Sequence, residues 1–143
     1  MANLYSQFTY DNALLIRAST TAITSTETGS VILDVGTGLV EGYLVLDVAT
    51  LDVVTGDEGY LFLLEGSPDA AFGTAGNIRV VGELTLGGAT ATAPNGAADA
   101  IGRFAIPFRN ERNGTTYRYL RLYVALSGTT PSTTFTGWLA KDC

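Results

Sequence analysis

The residues best suited to chemistry in this chain are arginines that lie close together in its last third. Between positions 103 and 121 the sequence has one acidic residue, Glu111, and five arginines: Arg103, Arg109, Arg112, Arg118 and Arg121. The segment therefore carries a net charge of +4, although the whole chain carries −6. A local excess of guanidinium groups on an acidic protein favours docking against an acidic protein surface. The alternative is that these arginines only keep an exposed segment soluble.

Tyrosines share this segment with the arginines. If Thr116–Leu126 is a strand, alternate side chains point to opposite faces, and the leucine-rich set meets the core. The outward set is then Tyr117, Tyr119, Arg121 and Tyr123. The same alternation in Ile101–Arg109 leaves Arg103 and Arg109 outward. Because tyrosine and arginine are enriched at protein interfaces, these six residues are predicted contacts; the alternative is that the aromatic rings stack for stability alone.

The first twelve residues offer a second candidate contact. Tyr5, Phe8 and Tyr10 precede the first apolar run, in a stretch whose one charged residue is Asp11. Aromatic side chains in such an N-terminal arm need a groove, because leaving them in water costs free energy. The groove belongs either to the arm's own domain or to a neighbouring molecule, and the sequence leaves both open.

The composition excludes most other chemistry. The chain has no histidine and one cysteine, so His-dependent nucleophiles, disulfide frameworks and Cys/His metal cages are ruled out. The acidic residues lack the spacing of a calcium loop. We therefore expect no enzyme activity, no metal and no cofactor. The net charge of −6 argues against nucleic acid as a partner, and no apolar run is long enough to span a membrane.

Charge is also sparse, at 15% of residues against a usual value of about 25%. One explanation is that another molecule covers part of the surface; the other is that threonine and glycine supply neutral polarity. The N-terminus has no basic leader followed by an apolar stretch, which predicts synthesis in the cytoplasm of a cell.

The elements that must position these residues read as strands. Short runs rich in Val, Leu, Ile, Tyr and Thr are bounded by Gly, Asn, Asp and Pro, and no stretch keeps a helical apolar period. This predicts an all-β fold, an antiparallel jelly-roll or β-sandwich of about eight strands, in a single domain over 13–143. The runs are Ala13–Ser19, Val31–Val35, Leu39–Val48, Leu51–Val54, Tyr60–Gly66, Ile78–Leu86, Ile101–Arg109, Thr116–Leu126 and Thr133–Ala140.

Three local features refine this prediction. Asn113-Gly114 favours a tight hairpin, which would join the two arginine-bearing strands as neighbours. Pro107 cannot donate a ladder hydrogen bond, so its strand is expected at a sheet edge or at a bulge. Tyr60–Leu64 is continuously apolar, as is typical of a strand covered on both faces.

Two blocks of the sequence resemble a known family. Glu41–Gly73 reads EGYLVLDVATLDVVTGDEGYLFLLEGSPDAAFG, and residues 103–143 read RFAIPFRNERNGTTYRYLRLYVALSGTTPSTTFTGWLAKDC. Both are similar to capsid cement (decoration) proteins of tailed bacteriophages, a family typified by a jelly-roll cement protein of a Bordetella podophage. Together they cover more than half of the chain, in the order the family would require.

The resemblance implies a structural protein of the virion. It would be made in the host cytoplasm, sit on the outer surface of an icosahedral head, and bind major capsid protein subunits of the HK97 type. It would also bind itself, as a dimer or another small oligomer, and bridge capsomers against internal DNA pressure. The alternative function is a carbohydrate- or receptor-binding β-sandwich module of a phage tail or cell surface, with Trp138 as a possible sugar platform.

Overall fold

The fold is built from antiparallel strands, as the sequence predicts. The computed structural model describes residues 12–18, 21–87 and 101–141, and within them every ladder is antiparallel. The six long strands are β4 (Glu41–Leu51), β5 (Gly59–Ser67), β6 (Arg79–Gly87), β7 (Gly102–Arg109), β10 (Tyr119–Ser127) and β11 (Thr133–Ala140). The short ones are β1 (Leu15–Arg17), β2 (Glu27–Thr28), β3 (Leu33–Asp34), β8 (Glu111–Arg112) and β9 (Thr115–Thr116). Single 3₁₀ turns occupy Asn12–Leu14 and Ala75–Asn77.

The strands form two sheets that pack face to face. The first sheet has the order β1-β11-β4-β7, and the second has the order β2-β10-β5-β6, with β3 also pairing with β10. A separate small hairpin joins β8 to β9. This confirms the predicted antiparallel β-sandwich.

Alternation along the strands explains where the core lies. The inward side chains of both sheets form one apolar cluster, in which Phe62 and Phe135 pack edge to face with ring centroids 5.0 Å apart. Each fully buried leucine or phenylalanine contributes about 1.5–3 kcal/mol relative to an exposed one. The fully covered members include Leu44, Leu46, Tyr60, Phe62, Leu64, Leu120, Leu122 and Phe135.

Two strand predictions are wrong in detail. Leu51–Val54 is not a separate strand: β4 continues to Leu51, and the chain then turns where the Asp52 carboxylate accepts the Val54 N–H at 3.0 Å. Nor is Tyr60–Leu64 buried on both faces. Its even residues are buried, whereas Leu61 and Leu63 are half-buried on the outer face of the second sheet. That outer face is therefore apolar and partly open.

The predicted turn at Asn113-Gly114 forms, with φ of 53° and 80°, the left-handed conformation that asparagine and glycine accept most readily. The sequence predicts that this turn joins neighbouring strands of one sheet, and that prediction is wrong. The turn closes only the small β8–β9 hairpin, after which the chain crosses from the first sheet to the second. The two arginine-bearing strands β7 and β10 therefore lie in different sheets.

A buried asparagine organises this crossing. The Asn110 side chain is fully covered, and its Oδ1 accepts the Val40 N–H at 2.7 Å. Its Nδ2 donates to the carbonyls of Gly38 and Tyr117, both at 3.0 Å. Because a buried polar group left unpaired is costly, three backbone groups from two separate segments, Gly38–Val40 and Tyr117, are held around one amide.

Pro107 lies where its missing N–H does least harm. β7 is the edge strand of the first sheet, which confirms the prediction. The Asn110 N–H donates to the Val40 carbonyl at 3.1 Å, so the hydrogen-bonded pairs continue through the even residues of β7. Pro107, which pairs with Tyr43, consequently faces the open edge.

Candidate protein interface

Three of the predicted contact residues share one outward face. Tyr119, Arg121 and Tyr123 alternate along β10 with buried Leu120 and Leu122, as the sequence predicts. β10 is an interior strand of the second sheet, flanked by β5 on one side and by β2 and β3 on the other. The three side chains are half-buried and are held on a fixed surface.

Tyr117 does not belong to this face, so its predicted outward orientation is wrong. It is only 6% exposed and packs in the core, close enough to Gly66 that a Cβ there would lie 2.8 Å from the Tyr117 Cβ. The reason is that β10 begins at Tyr119, after a bend at Arg118 that resets the alternation. The Tyr117 N–H donates to the Asn110 carbonyl at 2.7 Å, which fixes the residue before the bend.

Arg121 is engaged by its own chain. Its Nε donates to Oε2 of Glu65, on the neighbouring strand β5, at 2.8 Å. Its guanidinium carbon also lies 4.2 Å from the centre of the Phe72 ring, a cation–π contact. The Arg121 and Glu65 side chains are 18% and 13% exposed. The guanidinium therefore has a defined position before any partner arrives.

Phe72 reaches Arg121 from the loop between β5 and β6. The Asp69 carboxylate accepts N–H groups of Ala71 at 3.0 Å and of Gly73 at 3.2 Å, which folds the loop into a compact turn. Phe72 has φ of 50°, a left-handed conformation that is unfavourable for a residue with a bulky side chain. Its ring is nevertheless buried. The strained backbone thus places an aromatic ring over the guanidinium.

A second ion pair fixes the end of this face. Arg118 donates two hydrogen bonds to the Asp34 carboxylate, at 2.8 and 2.7 Å. These bonds, with that from the Gly36 N–H, lower the pKa of Asp34 from 3.8 to about 2. The Arg118 guanidinium also lies 5.3 Å from the centre of the Tyr119 ring, so the pair orients this tyrosine.

The other two predicted arginines lie on the opposite side of the molecule. Arg103 and Arg109 project from the outer face of the first sheet, where each meets an acid of β4. Arg103 bonds Asp47 at 3.0 Å, and Arg109 lies 3.3 Å from Glu41. The structure therefore does not unite Arg103 and Arg109 with the residues of β10, and the five arginines of the segment do not form one cationic patch.

The surface that remains around β10 is amphipathic. We call it the tyrosine face: Tyr119, Tyr123, Leu61, Leu63 and the Arg121–Glu65 pair. Within the described residues, the hydroxyls of Tyr119 and Tyr123 have no hydrogen-bond partner, and the rings and leucines are half-buried. Tyrosine rings with free hydroxyls beside aliphatic side chains suit contact with another protein surface. Sequence reasoning missed Glu65 and Phe72, because no sequence signal gives the register that brings them to Arg121.

The structure also bears on the remaining sites that the sequence analysis considered. Tyr5, Phe8 and Tyr10 lie outside the described residues. Trp138 is only 3% exposed, with the Arg103 guanidinium 5.1 Å from its ring centre, so it cannot serve as an open sugar platform. Over 12–18, 21–87 and 101–141 the structure shows no group of three His, Cys, Asp or Glu side chains placed to hold a metal ion. In the same residues no helix is long and apolar enough to cross a membrane.

Comparison with protein-family models, with curated proteins and with solved structures finds no match to this chain.

Proposed function

We propose that this protein is a capsid cement protein of a tailed bacteriophage. It binds the outer surface of an icosahedral head and bridges neighbouring major capsid protein subunits of the HK97 type. The observation that carries the proposal is the tyrosine face, a rigid amphipathic surface on an interior strand, where two tyrosine hydroxyls have no hydrogen-bond partner among the residues that the structure describes. A cement protein requires contact surfaces on a stiff scaffold and no reacting groups.

The two blocks that resemble the cement family support the proposal because of the strands that they contain. The first block, Glu41–Gly73, contains β4, β5 and the loop that carries Phe72. The second, residues 103–143, contains β10 and β11. The resemblance therefore includes the central strands of both sheets and every residue of the tyrosine face.

The mechanism is adhesion without chemistry. A clamp bound across a seam raises the cost of separating two capsid subunits by its own binding free energy. Specific contacts of this kind bury about 800 Å² on each partner, and many copies on a regular lattice add avidity. Since Glu65 and Phe72 already hold Arg121, little side-chain entropy is lost when the tyrosine face docks.

Cosedimentation with heads that lack the protein tests the proposal. The wild-type chain should saturate such heads and raise the temperature at which they lose DNA. The variant Tyr119→Ser/Tyr123→Ser should bind at least about tenfold more weakly, the equivalent of roughly 1.4 kcal/mol, while keeping its circular dichroism spectrum. Arg103→Ser, on the opposite face, is the matched control. Heads that withstand heating equally well without the protein would contradict the cementing role, and undiminished binding by the tyrosine variant would contradict the surface.

A further inference from the structure

The loop between β4 and β5 holds an aliphatic side chain in solvent. Val54 is 93% exposed, the most open large apolar side chain in the described residues. Just behind it, Glu58 is fully covered, and its carboxylate accepts the N–H groups of Thr55 at 3.1 Å and Gly56 at 2.9 Å. Burial alone would raise the pKa of Glu58, but these and its other hydrogen bonds outweigh burial and lower it, so the carboxylate is ionised at neutral pH.

A neighbouring loop braces the end of the β4–β5 loop, residues 52–58, which we call the tip. The Asp57 carboxylate accepts the Thr129 N–H at 3.1 Å and the Thr129 hydroxyl at 2.9 Å. Gly128 has φ of 91°, and a Cβ there would lie 2.3 Å from the Asp57 carbonyl oxygen, so the two loops touch backbone to backbone. Val54 is therefore carried by a rigid support, and a rigid loop loses little entropy when it docks.

The tip combines an exposed apolar side chain, Val54, with acidic residues on either side of it in the sequence. Residues 52–58 read DVVTGDE, with no cation and three acidic residues, of which Glu58 is covered and Asp52 and Asp57 remain at the surface. An exposed valine framed by negative charge fits a partner surface that offers an apolar hollow with cations at its rim.

This protein has such a surface at its other end. A groove of about 670 Å³ opens where β4 begins, and its charged lining consists of Arg109, Arg112, Lys141 and the single acid Glu41. Arg112 and Lys141 form no ion pair within the part of the chain that the structure describes. The apolar lining is Leu39, Val40, Val81, Pro107 and Phe108.

The tip and the groove are separated by the length of one strand. β4 has eleven residues, with the groove at Glu41–Tyr43 and the tip directly after Leu51. At about 3.3 Å per residue the two surfaces lie on the order of 35 Å apart. The tip therefore cannot reach the groove of its own molecule, but it can reach that of another.

We infer that the tip of one copy docks into the groove of a second copy of this chain. Val54 lies against the apolar lining, and the carboxylate of Asp57 lies beside Arg112 and Lys141. The two surfaces differ, so the contact is head-to-tail and extends until a ring closes or a filament forms. The inference does not depend on capsid binding, since it concerns the purified chain alone.

Sedimentation of two complementary variants tests this association. Val54→Arg removes the tip contact and keeps the groove, whereas Arg112→Glu/Lys141→Glu removes the groove contact and keeps the tip. Wild type should form oligomers that grow with concentration, and each variant alone should be monomeric, with a dissociation constant raised at least tenfold. Mixed in equal amounts, the two variants should form dimers and nothing larger, because one intact tip meets one intact groove.

The control is Ile32→Arg, which changes an exposed apolar residue outside both surfaces and should associate like wild type. Unchanged thermal unfolding confirms that the variants fold. If the Arg112→Glu/Lys141→Glu variant fails to fold, Lys141→Glu alone takes its place. Three results would each overturn the inference: a wild-type chain that stays monomeric at millimolar concentration, variants that associate as wild type does, or a mixture that remains monomeric.

Discussion

Nε of Arg121 lies 2.8 Å from Oε2 of Glu65, and both side chains are largely covered. The pair therefore belongs to the interior of the tyrosine face and is not a free positive charge offered to a partner. A partner that docks on this face meets a neutral, hydrogen-bonded platform with the Phe72 ring at its side. Shape and tyrosine hydroxyls, rather than net charge, are then the source of selectivity there.

A double-mutant cycle on this pair measures how much it stabilises the fold. We expect Arg121→Met and Glu65→Met each to lower the free energy of unfolding by about 1–3 kcal/mol, because each leaves a covered polar partner unpaired. The double variant should lose less than the sum, with a coupling energy of about 1–2 kcal/mol. Urea unfolding gives all four values. Strict additivity would show that the pair contributes no mutual stabilisation.

The left-handed backbone of Phe72 predicts which of two substitutions at this position is the more stable. Replacing it with alanine removes the buried ring but keeps a Cβ at φ of 50°, whereas glycine removes the ring and relieves the strain. Both variants should be destabilised by about 2–4 kcal/mol, but Phe72→Gly should be more stable than Phe72→Ala by about 0.5–1 kcal/mol. The order is the reverse of that in a strand. Denaturant midpoints decide it, and alanine above glycine would argue against the left-handed backbone.

Asn110 is expected to be the most sensitive polar position described. Asn110→Ala leaves the Val40 N–H and the carbonyls of Gly38 and Tyr117 without their buried partner. We expect a loss of about 3 kcal/mol in the free energy of unfolding. Asn77→Ala, which changes an exposed amide in a turn, is the control and should stay within about 0.5 kcal/mol of wild type. Equal effects at the two positions would refute the bracing role.

The free energy of unfolding should decrease at low pH because Asp34 becomes protonated. Its pKa is lowered in the folded state to about 2 from 3.8, so the folded form binds its proton less readily than the unfolded form. The stabilisation is present above pH 3.8 and is lost as pH falls toward about 2. Asp34→Asn should remove this part of the pH dependence of the urea midpoint. Arg118→Met should remove much of it but not all, because the Gly36 N–H still donates to the carboxylate. A wild-type slope in Asp34→Asn would assign the acid sensitivity to other carboxylates.

Local sequence signals predicted the strands well where alternation was regular. Thr133–Ala140 was predicted with its observed ends, and the direction of Tyr119, Arg121 and Tyr123 is confirmed. The edge position of Pro107 could be predicted from a purely local feature, its missing N–H. Such features depend on one strand and its own backbone, which the sequence contains directly.

The failures share a physical cause, namely that they depend on which strands become neighbours. Asn113-Gly114 sets a turn, but the partners of β7 and β10 depend on non-local contacts, among them the hydrogen bonds of the buried Asn110 amide to Val40 and Tyr117. The predicted orientation of Tyr117 is wrong because a two-residue break before β10 shifts the alternation. The pairing of Arg121 with Glu65 requires the register of β10 against β5, 56 positions away, which no periodicity reveals.

The position of β11 in the first sheet has a consequence for biosynthesis. β11 lies between β1 and β4, although it follows both by more than eighty residues in the chain. During translation β4 and β7 can pair early, but β1 lacks β11, its partner in the described part of the sheet, until residues 133–140 leave the ribosome. The edge of β4 that pairs with β11 is meanwhile without its partner and is open to water and to other nascent chains. Expression yield should therefore respond to chaperone supply and to the speed of translation of the final segment.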